Sequence, residues 1–267
     1  MRVISSISAL LAALLLATTG ASSAATVHSA FELHQRLEEP ALAHPPTVAL
    51  TLDACGGEFD RDVVDFLIER HIPATIFATR KWLVRNPGGL RLLLAHRDLF
   101  EIEDHGANHV PAVIGVGRKV YGIPAEPDLA HLRSEIETGA DAVASATGVQ
   151  PHWYRGATAL YDDESLHAIA ALGFRVAGFS LNADAGATLP RNEVSARVRS
   201  ARDGDVIIAH VNKPRTDAGE GLVDGLTTLM QRGYRFVQLG DAQLGPAPVA
   251  QGRRAEHPIP VVASPRT

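Results

Sequence analysis

Two histidines four residues apart, His105 and His109, stand in the segment Glu103-Asp104-His105-Gly106-Ala107-Asn108-His109, just after the apolar run Leu99-Phe100-Glu101-Ile102. Imidazole is a good ligand for zinc and its neighbours in the divalent series. Two imidazoles at this spacing can share one ion, on a helical turn or across a tight loop. A divalent ion held there would lower the pKa of a water and polarise a carbonyl, which is hydrolytic chemistry. The spacing alone is common. Its weight comes from Asp53, Arg155, Asp184 and His210, each of which also falls where an apolar, strand-like run ends.

Those run ends follow from an alternation of strand and helix. Residues 46–53, 72–77, 99–102, 153–154, 174–181, 205–209 and 234–239 read as strands. Helical patterns lie between them at 59–70, 81–95 (interrupted near Asn86-Pro87-Gly88-Gly89), 129–147, 163–171, 193–200 and 222–232. In the longest, Leu129, Leu132, Ile136, Ala140 and Val143 recur at spacings of three and four, the helical period, and Gly148 and Pro151 close it. Short apolar strands separated by helices predict an α/β fold with a parallel sheet. About seven such units predict a closed or nearly closed (β/α) barrel, whose site lies at the C-terminal strand ends. Asp53, His105, Arg155, Asp184 and His210 are therefore expected to converge. The long segment 110–128 follows His109 directly and is expected to overhang the site.

Composition sets limits. A chain of 267 residues can bury a full core. A formal net charge of −5 gives no electrostatic reason to expect a nucleic-acid partner. Arg2, the apolar run 9–17 and the small residues 21–25 read as an export signal, and the run is too short for a stable membrane span. The expected organisation is a signal peptide at 1–25, a linker at 26–45, a catalytic domain at 46–241 and a proline-rich tail at 242–267, with a periplasmic or secreted location. The oligomeric state is open. Cys55 is the only cysteine, so no internal disulfide is available.

The order Thr51-Leu52-Asp53, His105-x-x-x-His109, Tyr154-Arg155, Asp184 and Ile207-Ile208-Ala209-His210 resembles the polysaccharide deacetylases, carbohydrate esterase family 4, over residues 46–240. The resemblance implies a distorted barrel of parallel strands, one divalent metal (zinc first) and an N-acetylated glycan substrate. The departures are specific. The family's first motif is usually Thr-Phe-Asp-Asp-Gly, with the first aspartate as base and the second on the metal; here Ala54 fills the second slot, followed by Cys55-Gly56-Gly57. Gly106 stands where Ser or Thr is usual, the proline of the third motif is missing from Arg155-Gly156-Ala157-Thr158, and Asn182 and Asp184 stand where two aspartates are common.

Amide hydrolysis needs an activated water, a stabilised oxyanion and a proton for the leaving amine. The metal ligands are expected to be His105, His109 and Asp53, with Asp53 as base or ligand. His210 would be the general acid. Arg155 would hold Asp53 ionised, and Asp184 would orient His210 or pair with Arg155. Backbone N–H groups near Trp153–Gly156 would help form the oxyanion site. Each residue has a plainer reading. Asp53 could cap the turn at 54–57, His109 and His210 could be packed histidines, Arg155 a structural ion-pair partner, and Asp184 a cap before Gly186. Cys55 reads as a small buried residue, with metal contact or a reactive thiol as the lesser alternatives. Further oxygen donors near the first motif are Glu58, Asp60 and Asp104, with Asp60 better explained as a helix N-cap. Trp153 reads as core, and Tyr121 is left between core and sugar-stacking roles. Three other functions stay open: an inactive carbohydrate-binding relative, a hydrolase of other amides or esters on the same barrel, and a cysteine hydrolase built on Cys55.

Overall fold

The computed structural model describes residues 29–38, 45–240 and 242–247. The expected signal peptide and most of the proline-rich tail lie outside them. The sheet is built from β1 (Thr47–Ala54), β2 (Ala74–Ala78), β3 (Phe100–Asp104), β4 (Trp153–Tyr154), β5 (Arg175–Val176), β6 (Leu181–Asn182), β7 (Val206–His210) and β8 (Arg235–Val237). All of its pairings are parallel. Seven strands follow one another in the order β5-β4-β3-β2-β1-β7-β6, and β8 pairs with the start of β1. The sheet's two ends, β5 and β6, are consecutive in the chain, separated only by residues 177–180. One short segment thus joins both edges of the sheet, which curls into a distorted, open (β/α) barrel.

β1 shows how the alternation works. All eight of its residues are buried. Val48, Leu50, Leu52 and Ala54 pack outward against helices, with Val63, Val64 and Leu67 of α1 (Arg61–Glu69) in the same cluster. Ala49 points inward to a second cluster with Phe77, Trp153, Phe179 and Ile208. A residue shift of one exchanges these two faces. Burying each large aliphatic side chain is worth about 1.5–3 kcal/mol, so the register of β1 is strongly specified. That register lines up the strand ends: His210 lies beside Asp53, Ala54 beside Ala78, Ala78 beside Asp104, and Asp104 beside Tyr154.

The remaining helices are α2 (Arg80–Arg85), α3 (Pro87–Ala95), α4 (Leu129–Thr147), α5 (Asp163–Ala171), α6 (Arg191–Arg199) and α7 (Ala218–Gln231). The expected helix over 81–95 is two helices. Asn86 ends α2 and Pro87 opens α3, where its missing N–H costs no intrahelical bond. Gly148 closes α4 in the left-handed conformation, φ 78°. The expected strand over 174–181 is also two pieces, because the chain crosses from one sheet edge to the other between them. Residues 110–128 carry a small hairpin, Lys119–Val120 against Ile123–Pro124. Within the expected linker, Phe31–Glu32 pairs with Leu160–Tyr161, and Gln35–Leu37 pairs with Leu244–Pro246. No helix of the described residues is long and apolar enough to cross a membrane.

Candidate metal and hydrolytic centre

The metal-ligating types that meet at the barrel rim are Cys55, His105 and His109, whose donor atoms all lie within 4.8 Å of one another. Cys55 Sγ is 3.5 Å from His105 Nε2. The two imidazole rings are 5.0 Å apart, edge to face. His105 Nδ1–H donates to the carbonyl of Arg155 at 2.6 Å, which fixes the tautomer and leaves Nε2 facing the thiol. Cys55, read as a small buried residue, is at most half-exposed and turns its thiol to the imidazoles, so the lesser alternative of metal contact has geometric support. Ala54 is the outward residue and packs in the helix-facing core, so it offers no ligand slot. Cys55, the next residue, turns back toward the rim. Its carbonyl accepts a hydrogen bond from the Thr79 hydroxyl, and Gly57 O accepts one from Asn86 Nδ2 at 3.1 Å. These bonds tie the turn to α2.

Asp53 borders the group without joining it. Its Oδ1 accepts from Arg155 Nη1 at 2.9 Å, and its Oδ2 is 3.7 Å from His105 Nε2. The other oxygen donors near the first motif are turned elsewhere. Glu58 pairs with Arg215 at 2.8 Å, Asp60 caps α1 through Val63 N at 3.3 Å, and Asp104 Oδ1 accepts from Gly106 N at 2.8 Å.

Arg155 is wholly buried. It donates to Asp53, to Thr51 Oγ1 at 2.9 Å, and to the carbonyls of Ala177 and Gly178 at 3.0 and 3.1 Å, with its guanidinium over the Phe77 ring at 4.3 Å. Burial by itself would push the Asp53 carboxyl up. The Arg155 charge, then those of His105 and His210, outweigh burial and hold it below the ordinary carboxylate range.

His210 follows β7 beside Asp53. Its Nδ1–H donates to Asp184 Oδ1 at 2.9 Å, and its backbone N–H donates to Asp184 Oδ2 at 2.8 Å. Of the two partners expected for Asp184, His210 is the one it has. Asp184 Oδ1 also accepts from Gly186 N at 3.1 Å, so the loop-cap reading holds alongside. Burial would lower the His210 pKa; the Asp184 carboxylate, through charge and hydrogen bond, raises it well above the ordinary imidazole value.

Asp53, Cys55, His109 and His210 open onto one cavity of about 420 Å³, whose other walls include Glu32 and Tyr121. Tyr121, at the turn of the 119–124 hairpin, is 68% exposed, so it is not a core aromatic, whereas Trp153 is buried as expected. Thr158 lines the same cavity at φ 69°, with a hydroxyl that has no hydrogen-bond partner among the described residues. The oxyanion donors expected from 153–156 are largely taken. Trp153 N bonds Glu103 Oε2, Arg155 N bonds Asp104 O and Gly156 N bonds Tyr161 Oη. Sequence reasoning missed Glu32, which carries no local signal. It undervalued Cys55, for which the period-two face of β1 was the available signal.

The donor set suits a divalent metal. A thiol and two imidazoles match the ligand preferences of zinc. Burial would raise the Cys55 pKa, but hydrogen bonds with His105, His109 and His210 hold it well below the ordinary thiol value, the direction that favours a ligating sulfur. His105 also has its second nitrogen anchored on a carbonyl, the support metal-binding imidazoles require.

The sequence profile of the polysaccharide deacetylase family matches residues 42–177, just over half of the chain. The chain belongs to the polysaccharide deacetylase family. Its barrel is shared with PdaA, a family 4 carbohydrate esterase of Bacillus subtilis, at TM-score 0.59 and 19% identity over 79% of this chain and 83% of that one. A family 4 carbohydrate esterase of Streptomyces lividans matches at TM-score 0.59 and 19% identity over 73% and 93%. A family 4 pseudoenzyme of Bacillus anthracis matches at 0.59 and 18% over 74% and 65%. At these identities the likeness is one of fold. No curated protein sequence matches the chain.

Proposed function

We propose that this protein is an exported, metal-dependent deacetylase of N-acetylated glycans whose ion is held by Cys55, His105 and His109. The observation that carries the reading is the meeting of that donor group with the Asp53–Arg155 and His210–Asp184 pairs on one cavity. Zinc is the ion best matched to one thiolate and two imidazoles. When bound, the ion supplies positive charge that acidifies water and polarises the acyl carbonyl. Asp53, kept ionised by Arg155, accepts the proton of the attacking water. The C–N bond breaks as His210, kept protonated by Asp184, gives its Nε2 proton to the leaving nitrogen. The products are acetate and a free amino sugar. Exposed Tyr121 offers a face for a sugar ring, and Thr158 Oγ1 offers a hydrogen bond to a sugar hydroxyl. The sequence pattern of residues 1–25, read as an export signal, fits a periplasmic or secreted location, where such glycans occur.

The test pairs metal content with acetate release from a panel of peptidoglycan, chitin-type and exopolysaccharide substrates. The wild type should carry about one ion per chain, and Cys55→Ala should lose most of it together with turnover. Full occupancy in Cys55→Ala would refute the ligand set. Bound sugar without acetate release would replace the enzyme with an inactive glycan binder.

A further inference from the structure

We propose that Glu135 of α4 is the positioning residue that fixes His109 in its ligating place, and that Gly106 is present to admit its carboxylate. The inference rests on the reading of His109 as a metal ligand. His109 sits on a short loop with unfavourable backbone geometry. Its own φ is 64°, in the left-handed region that a non-glycine residue adopts only when its surroundings hold it there. Gly106, three residues earlier, has φ 81°. Among the described residues no regular element contains 105–109, so the loop must be held from outside.

Glu135 does the holding. It is only 5% exposed, on the face of α4 that also buries Leu132, Ile136 and Gly139. Its Oε1 accepts from the backbone N–H groups of Asn108 at 2.6 Å and Val110 at 3.2 Å, the two residues that flank His109. Its Oε2 accepts from Asn108 Nδ2 at 3.1 Å, and its backbone carbonyl accepts from Ala107 N at 3.0 Å. Charge-assisted bonds to backbone donors are the strong class. Bonds on both sides of one residue fix the direction in which its side chain leaves the chain.

The fit is close. A Cβ on Gly106 would lie 2.7 Å from Glu135 Oε1, so the carboxylate occupies the space a side chain at 106 would need. One turn further along α4, a Cβ on Gly139 would lie 2.3 Å from Asp104 Oδ1 and 2.7 Å from the Gly106 Cα. The helix therefore approaches the loop to backbone distance at 139 and grips it at 135. Support behind a metal-binding imidazole typically changes metal affinity 10- to 100-fold.

The experiment uses the full chain loaded with cobalt(II) alone, reading both the dissociation constant by chelator competition and the visible absorption spectrum. Glu135→Ala should weaken binding about 10- to 100-fold and shift the ligand-field bands, while the thiolate-to-cobalt band from Cys55 remains. Glu135→Gln should recover most of the affinity, because its amide oxygen can still accept from Asn108 N and Val110 N. Should Glu135→Ala fail to fold, Glu135→Asp keeps the charge one methylene short of the loop and should show the same band shift. His109→Ala separates the two levels of the argument. If it binds cobalt as tightly as the wild type, the ligand reading fails. If His109→Ala loses cobalt while Glu135→Ala and Glu135→Asp keep wild-type affinity and spectrum, the positioning role is overturned.

Discussion

Replacing Arg155 with methionine should show that the guanidinium is what makes a buried Asp53 tolerable. The side chain is wholly buried and meets four acceptors: Asp53 Oδ1, Thr51 Oγ1 and the carbonyls of Ala177 and Gly178. Methionine fills part of the volume and satisfies none of them. Breaking a buried ion pair from one side costs about 3–5 kcal/mol, because the other charge stays buried without a partner. Domains of this kind hold about 5–15 kcal/mol in total, so Arg155→Met should bring the chain close to its unfolding threshold. Urea unfolding of the chelator-treated chain gives the loss. The decisive arm is the cycle with Asp53→Asn. Removing the stranded charge should return part of the loss, so the double variant should be more stable than the sum of the singles by about 0.5–3 kcal/mol, the range for residues in direct contact. Additivity within about 0.5 kcal/mol would refute the argument. The loss would then come from the carbonyls of 177 and 178, and Arg155 would be a seam-closing residue with no special bearing on Asp53.

His210→Ala should lower turnover about a hundredfold or more with metal content unchanged, and near-normal turnover would show that another group supplies the proton. Asp184→Asn acts through His210 and should lower kcat while leaving KM for a short N-acetylated oligosaccharide unaltered; a change confined to KM would place Asp184 on the substrate instead. Glu126 is buried, and burial followed by the Glu135 charge raises its pKa to about 7. A carboxyl with a raised folded pKa lends its full stability below the unfolded value near 4.5 and loses it as pH rises toward 7. Glu126→Gln should therefore flatten the fall in thermal stability over that window, and an unchanged slope would show that Glu126 ionises normally.

The barrel was legible because its signals are local. Apolar strand runs alternate with helical spacing, and Gly148 and Pro87 mark helix ends by their backbone chemistry. Most of the residues expected at the rim lie there because each ends a strand, which topology alone brings together. The third member of the donor group was also within reach. Thr51 and Asp53 share the inner face of β1 while Leu52 and Ala54 share the outer one, so continuing the alternation points to Cys55. Strand ends break that regularity, which is why the family's motif spacing directed attention to Ala54. Glu135 was not legible. Between Leu132 and Ile136 it looks like the polar flank of an amphipathic helix, and its role depends on a loop 25 to 27 residues away in sequence. The split of 175–182 was hidden for a related reason: Arg175–Val176 and Leu181–Asn182 are both strand-like, and only the curl of the sheet sends them to opposite edges.

β1, the first strand of the sheet, lies at its centre; β2, on one side, follows it closely in the chain, but β7, which covers its other edge, comes some 150 residues later. Nascent chain leaving a ribosome therefore presents one edge of the run 47–54 long before the strand that covers it exists. Until residues 206–210 arrive, the edge from Ala49 to Asp53 is an open row of backbone donors and acceptors, the kind that recruits strands from other chains. A fragment ending at residue 177, where the family match stops, keeps that edge permanently and lacks His210. Such a fragment should associate rather than fold. During biosynthesis that edge of β1 stays open until β7 is made.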